Sequence, residues 1–183
     1  MKKIPRHLGG HANMTHIDEG ALIYLKHTFN VCTMVDVGCS VGGMIPIANK
    51  YNIDAIGIDG DYIVKRLESI EKSVVIHDYT TGNLNLDTYF DISWCVEFLE
   101  HIEEKFLSNV FDTFKKSKYV FCTASVNGGH HHVNVKPLSY WIEKFKLYNF
   151  EYLKVETDEI KIESTMRRNF VRDTGMIFKN NNI

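Results

Sequence analysis

The sequence predicts an α/β fold: a mostly parallel sheet with helices on both faces. Two observations lead there. Short apolar runs alternate with segments of helical periodicity along most of the chain. Only three prolines (Pro5, Pro46, Pro137) and no Ser/Gly tract interrupt the 183 residues, so neither a linker nor an internal repeat is visible.

Residues 1–14, rich in Gly, His and basic residues, read as a loose arm. Thr15 is the expected N-cap of a helix to about Phe29, whose apolar positions Ile17, Ala21, Leu22, Leu25 and Phe29 recur at helical spacing. The run 33–37 reads as a buried strand, followed by a Gly-rich turn and a helix over 41–50. A second strand (54–58) and helix (61–70) follow, then strands at 73–77 and 91–96. A helix falls within 99–116, a fifth strand at 119–123, and Pro137 opens a helix through 147. Segments 150–155 and 175–179 complete seven strands. Ligands of such sheets sit beyond the carboxyl ends of the strands, near the point where strand order reverses.

A mass of 21.2 kDa fits one domain, expected over 1–183. Hydrophobic residues at 44% and charged residues at 24% exclude a disordered or collagen-like chain. With 21 Lys+Arg against 23 Asp+Glu, the net charge of −2 gives no footprint for general nucleic-acid or anionic-membrane binding. Residues 1–10 contain no apolar signal core, and no stretch approaches the ~20 apolar residues of a membrane span. Cys32, Cys39, Cys95 and Cys122 form no C-x-x-C pair, which suits buried thiols in a reducing compartment. The expected location is cytoplasmic.

The chemistry-bearing residues fall at strand ends. Val35-Asp36-Val37-Gly38-Cys39-Ser40-Val41-Gly42-Gly43 closes the first strand and opens a helix. Gly38 permits a tight turn and close ligand approach, while Gly42 and Gly43 let the helix start lie near the strand. This is not a dinucleotide fingerprint, because Ser40 stands where G-x-G-x-x-G needs glycine. Taken alone the loop is also compatible with a plain strand–helix turn. Asp59 ends the second strand, well placed to accept both hydroxyls of a ribose, and Asp78 follows the third in the same way. Two such acids downstream of a glycine loop point to a nucleoside site.

Over roughly residues 30–155 the sequence resembles the class I S-adenosylmethionine-dependent methyltransferases. Asp36, Gly38 and Gly42 match the D-x-G-x-G-x-G motif of that family, with Ser40 in place of the middle glycine. The resemblance implies a Rossmann-like seven-stranded sheet with an antiparallel last strand. It implies S-adenosylmethionine as cofactor, with Asp36 and Gly38 at its methionine end and Cys39 and Gly42 in the same loop. Asp59 would bind the ribose, and Asp78 the adenine amino group with Tyr79 beside it.

After the fourth strand, Glu97, Glu100 and His101 stand at i, i+3 and i+4, a spacing that a helix would place on one face. Two carboxylates and an imidazole suit Mg²⁺, Mn²⁺ or Zn²⁺. The plain alternative is that Glu97 touches the cofactor while Glu100 and His101 brace the helix start. After the fifth strand comes Asn127-Gly128-Gly129-His130-His131-His132-Val133-Asn134, whose histidines either reach a ligand or stand in a solvated loop. The combination is similar to the E-x-x-E-H methyltransferases, which include ubiquinone-pathway O-methyltransferases and small-RNA terminal 2′-O-methyltransferases. That likeness implies a metal at Glu97, Glu100 and His101, with His132 as the later ligand ahead of His131. Without a metal, His101 or a loop histidine serves as general base.

Segment 156–174 carries Arg167, Arg168 and Arg172 and reads as a solvated polar loop, the functional alternative being contact with an anionic acceptor. Trp94 and Trp141 read as core residues. His7, His11 and His16 are candidates for a lid over the cofactor. The sequence thus points to methyl transfer to an oxygen of a small molecule (a sugar, phenol or other metabolite). A non-catalytic cofactor-binding protein is the runner-up and an RNA-terminus enzyme a minor option; a nicotinamide oxidoreductase is disfavoured by the incomplete glycine motif.

Overall fold

The computed structural model describes residues 4–8, 13–66 and 68–183. Its centre is the expected seven-stranded sheet: β1 (Thr33–Val37), β2 (Asp54–Asp59), β3 (Val74–Ile76), β4 (Phe90–Cys95), β5 (Ser117–Cys122), β6 (Phe150–Tyr152) and β7 (Met176–Asn180). The strand order is β3-β2-β1-β4-β5-β7-β6. Neighbours pair in parallel from β3 across to β5, whereas β7 runs antiparallel to both β5 and β6. Strand order reverses between β1 and β4, and the crevice beyond their carboxyl ends is the ligand position of this architecture.

Alternation along the strands explains the two cores. Val35 and Val37 of β1, Val120 and Cys122 of β5, and Phe178 of β7 face one side. There they meet Leu107, Val110, Phe111 and Phe114 of α4 (Leu107–Phe114) and Trp141 and Phe145 of α5 (Leu138–Leu147). Met34, Trp94, Phe121 and Ile177 face the other. This side is covered by α1 (Glu19–Phe29), α2 (Met44–Lys50), α6 (Lys154–Glu163) and α7 (Phe170–Thr174), through Leu22, Leu25, Met44, Ile160 and Val171. Both tryptophans are buried in these cores. No helix among the described residues is long and apolar enough to cross a membrane.

Four local expectations need correction. The N-cap of α1 is Asp18, not Thr15: the Ala21 amide donates to Asp18 Oδ1 at 3.0 Å. Thr15 instead ties itself to the glycine loop, accepting from the Gly43 amide at 3.0 Å and donating to the Cys39 carbonyl at 3.3 Å. Helix α2 starts only at Met44, because Ser40 (φ 53°) and Gly42 (φ 77°) hold left-handed backbone that no helix accepts. The helix expected over 61–70 shrinks to α3 (Glu68–Glu71). Asp61 Oδ1 there accepts from the Ile63 and Val64 amides, a local bonding pattern that competes with helix. Finally, 156–174 is not a solvated loop but contains α7 and most of α6. Ile160 is buried, and Thr157 Oγ1 accepts from the Ile177 amide of β7 at 2.9 Å.

Candidate active site

The carboxyl ends of β1, β2, β4 and β5 open on a cavity of 450 Å³, within the range of small-molecule sites. Its glycine loop is set by the neighbouring strand. The Ile58 carbonyl accepts from both the Gly38 amide (2.8 Å) and the Cys39 amide (3.1 Å). Gly38 has φ 79°, and a Cβ there would overlap the Phe98 ring. Ser40 adopts the left-handed backbone that a glycine would take at this point of the motif. Cys39 is buried with its sulfur against Gly57, and burial holds its thiol protonated. Gly42 does not reach the cavity. A Cβ on it would meet Ile70 Cδ1 at 2.8 Å, so its task is packing the turn.

Three aspartates line one wall of the cavity. Asp36 is 3% exposed, its Oδ2 has no partner, and burial followed by the charge of Asp59 pushes its carboxyl up to about 8. Asp59 accepts from the Ser40 amide and the Asp61 amide, both at 2.7 Å, and lies 3.6 Å from Arg66. That arginine also donates to the carbonyls of Ser40 and Asp61, clamping the glycine loop to the end of β2. Asp78 receives His7 Nε2 at 2.9 Å on one oxygen and the Thr80 amide and hydroxyl on the other. Burial raises the Asp78 carboxyl, but these bonds outweigh it and hold it below its ordinary value. Tyr79 lines the cavity, with its hydroxyl 2.9 Å from Thr113 Oγ1 and its ring edge-on to Phe98.

Of the proposed lid histidines, His7 and His16 line this cavity, while His11 lies outside the described residues. His16 stands edge-on to Phe170 at 4.9 Å. His130 Nε2 meets the Arg6 carbonyl at 3.1 Å, so the loop after β5 touches the N-terminal segment.

Across the cavity, Glu97, Glu100 and His101 do not share a helix face. Glu97 is left-handed (φ 53°), and Leu99–His101 form a single 3-10 turn. The turn nevertheless brings Glu100, His101 and His132 together, with one donor atom from each within 4.8 Å of the others. Glu97 stays outside that group: its Oε1 accepts from Thr123 Oγ1 at 2.9 Å, and the same hydroxyl accepts from the Glu97 amide at 2.8 Å. Glu100 is fully buried with both carboxylate oxygens unpartnered. Burial and the nearby Glu97 charge raise its carboxyl above the ordinary range. Glu97 is raised too, by burial, with its Thr123 bond pulling the other way. Burial, then the charges of the loop histidines, brings His101 down to about 4, and its Nδ1 is buried without a partner. His132 Nδ1 lies 2.6 Å from the Asn127 carbonyl, which fixes the tautomer and leaves Nε2 as the lone-pair atom. Amides of Val133 and Asn134 both donate to the Glu100 carbonyl, docking the histidine loop on this turn. His131 turns instead toward His7, with ring centroids 6.1 Å apart.

Sequence reasoning did not single out Thr123, Arg66 or Phe98. Thr123 was legible in part: it follows β5 at the carboxyl edge. Arg66 follows no motif, because its role depends on the fold of 61–66.

No family model matches the chain, and no curated protein matches it. Solved structures do. A TehB-like S-adenosylmethionine-dependent methyltransferase from Corynebacterium glutamicum superposes with a TM-score of 0.62 at 13% identity, covering 88% of each chain. The methyltransferase domain of bacterial CtHen1 gives 0.58 at 17% identity, over 88% of this chain and 96% of its own. The plantazolicin methyltransferase BpumL, in complex with a triazolic desmethylPZN analogue and S-adenosylhomocysteine, gives 0.58 at 14% identity over 89% of this chain and 83% of its own. The chain therefore has the Rossmann-like fold of the S-adenosylmethionine-dependent methyltransferases.

Proposed function

We propose that the chain is an S-adenosylmethionine-dependent methyltransferase acting on a hydroxyl of a small molecule, with a divalent metal at the Glu100/His101/His132 group. The observation that carries this reading is the buried Glu100, with two bare oxygens beside two imidazole donors, in the wall of a cavity whose opposite wall holds Asp36, Gly38, Asp59 and Asp78. A buried carboxylate without partners is costly unless a ligand supplies them. The bare Oδ2 of Asp36 is a second buried polar atom that a bound donor would satisfy, by the same argument.

Methyl transfer is an in-line displacement. An acceptor oxygen forms a bond to the methyl carbon, the carbon–sulfur bond breaks with its pair left on sulfur, and the acceptor proton goes to a base. The chain's task is to hold donor and acceptor on that axis. The glycine loop and Asp59 position the donor, and Thr123 orients Glu97 at the junction. Held near 4, His101 is neutral at pH 7 and so offers a lone pair as ligand. When bound, Mg²⁺, Mn²⁺ or Zn²⁺ would lower the pKa of an acceptor hydroxyl and fix its orientation.

Calorimetry with S-adenosylhomocysteine, and cofactor consumption with sugar and phenol acceptors with and without EDTA, test the reading. Heat with the demethylated cofactor and EDTA-sensitive turnover are expected. Absence of any cofactor heat overturns the reading, and full turnover in chelator with metal-free protein removes the metal.

A further inference from the structure

A second cavity of 380 Å³ adjoins the first, and Glu97, Ser125, Asn127 and Phe170 line both. Its outer wall is the turn between α6 and α7, which presents Arg167 and Arg168. Both are exposed, and neither side chain makes a hydrogen bond or ion pair among the described residues. Arg172 behaves differently. Its guanidinium donates to the carbonyls of Ser164 (3.0 Å) and Met166 (2.6 Å) and to Asn169 Oδ1 (2.9 Å). One arginine therefore spends its donors fixing the turn, and the other two keep theirs. Arg168 also contributes, after burial, to lowering the pKa of His16, which places its charge close to the wall of the first cavity.

We infer that this second cavity is the acceptor subsite and that Arg167 and Arg168 receive a phosphate or carboxylate on the acceptor, so that its hydroxyl extends past Glu97 into the first cavity. The inference rests on the methyltransferase reading and narrows its substrate class to small hydroxylated anions. Guanidinium pairs suit planar and tetrahedral oxyanions, and a turn already pinned by Arg172 loses little freedom on binding. Asp173 lines the same cavity, so a cationic acceptor is the competing chemistry. Glu97 lies at the inner end of the cavity with its Oε1 held by Thr123, while on the outer turn the two unpaired guanidiniums face the single Asp173 carboxylate. The net charge of −2 gives no general attraction for a polynucleotide.

The test is calorimetry on the full chain, loaded with S-adenosylhomocysteine, using matched probes: ribose 5-phosphate against ribose, and 4-hydroxybenzoate against phenol. At least one anionic probe should bind about tenfold or more tightly than its neutral twin, with the preference lost in Arg167→Gln/Arg168→Gln. The favoured probe distinguishes phosphate from carboxylate. S-Adenosylhomocysteine affinity should be unchanged in the double variant, showing that the site still folds. Equal binding of anionic and neutral twins, or equal preference in wild type and variant, overturns the inference. So does arginine-dependent binding of a short single-stranded RNA with no binding of either small anion. Failure of wild type to bind S-adenosylhomocysteine would sink the parent reading instead, and the anion probes titrated into the unloaded chain still report on the arginines.

Discussion

Asp18→Ala should be among the most damaging single changes outside the active site. The Asp18 carboxylate is fully buried and serves two elements far apart in sequence. Oδ1 accepts from the Ala21 amide at 3.0 Å, capping α1, and from the Thr165 amide at 2.9 Å. Oδ2 accepts from the Ser164 hydroxyl. Alanine removes the cap, costing about 1 kcal/mol. It also strands the Thr165 amide and the Ser164 hydroxyl, at about 1 kcal/mol each for groups not wholly sealed from water. The sum is roughly 3 kcal/mol, or about 6–12 °C in Tm for a chain of this length. Asn keeps an acceptor for the cap and for Thr165, so Asp18→Asn should lose only about 1 kcal/mol. Urea denaturation followed by circular dichroism measures both, with unchanged m-values showing that the unfolding transition is the same. Wild-type stability in Asp18→Ala, or equal losses in the two variants, would refute this account.

Gly38→Ala forces a left-handed alanine into the Phe98 ring, with an expected cost of roughly 3 kcal/mol and a loss of cofactor affinity; a Tm within a degree of wild type would contradict it. Asp36 titrates near 8 in the folded chain against an ordinary 3.8, so from about pH 4 to 8 the folded state holds a proton that the unfolded state has released. Stability from this group should fall as pH rises across that window, by up to about 6 kcal/mol, and Asp36→Asn should flatten the slope in denaturation series at pH 5 and 8. Parallel slopes would show that Asp36 ionises normally. Glu100→Gln should abolish metal uptake, read by elemental analysis, and lower turnover on the order of 100-fold while sparing S-adenosylhomocysteine binding. Retained metal would exclude Glu100 as a ligand.

The strands were readable because each is an apolar run, and the sheet faces follow from their alternation. The acids Asp36, Asp59 and Asp78 come together because strand ends converge, which topology alone guarantees. Helix boundaries were harder, because side chains with competing backbone partners decide them. Asp61 unwinds the start of the segment read as 61–70, and Asp18 captures the cap that Thr15 was expected to provide. Segment 156–174 looked like a solvated loop because few of its positions are buried, Thr157 and Ile160 chief among those of α6. The Glu100/His101/His132 group illustrates a different limit. The i, i+3, i+4 spacing groups Glu97, Glu100 and His101, but the left-handed Glu97 sends its side chain to Thr123, while His132, expected from the family likeness, joins through the Val133 and Asn134 amides docked on the Glu100 carbonyl.

The Ile58 carbonyl, shared by the amides of Gly38 and Cys39, has a thermodynamic consequence for any visitor to the crevice. Each residue frozen into one backbone well costs about 1–2 kcal/mol. Here that expense is met when the sheet assembles, so an arriving ligand finds a finished mould and retains more of its own contact energy as affinity. Substitutions deep in β2, remote from the ligand, should consequently register as weakened binding before they register as altered chemistry.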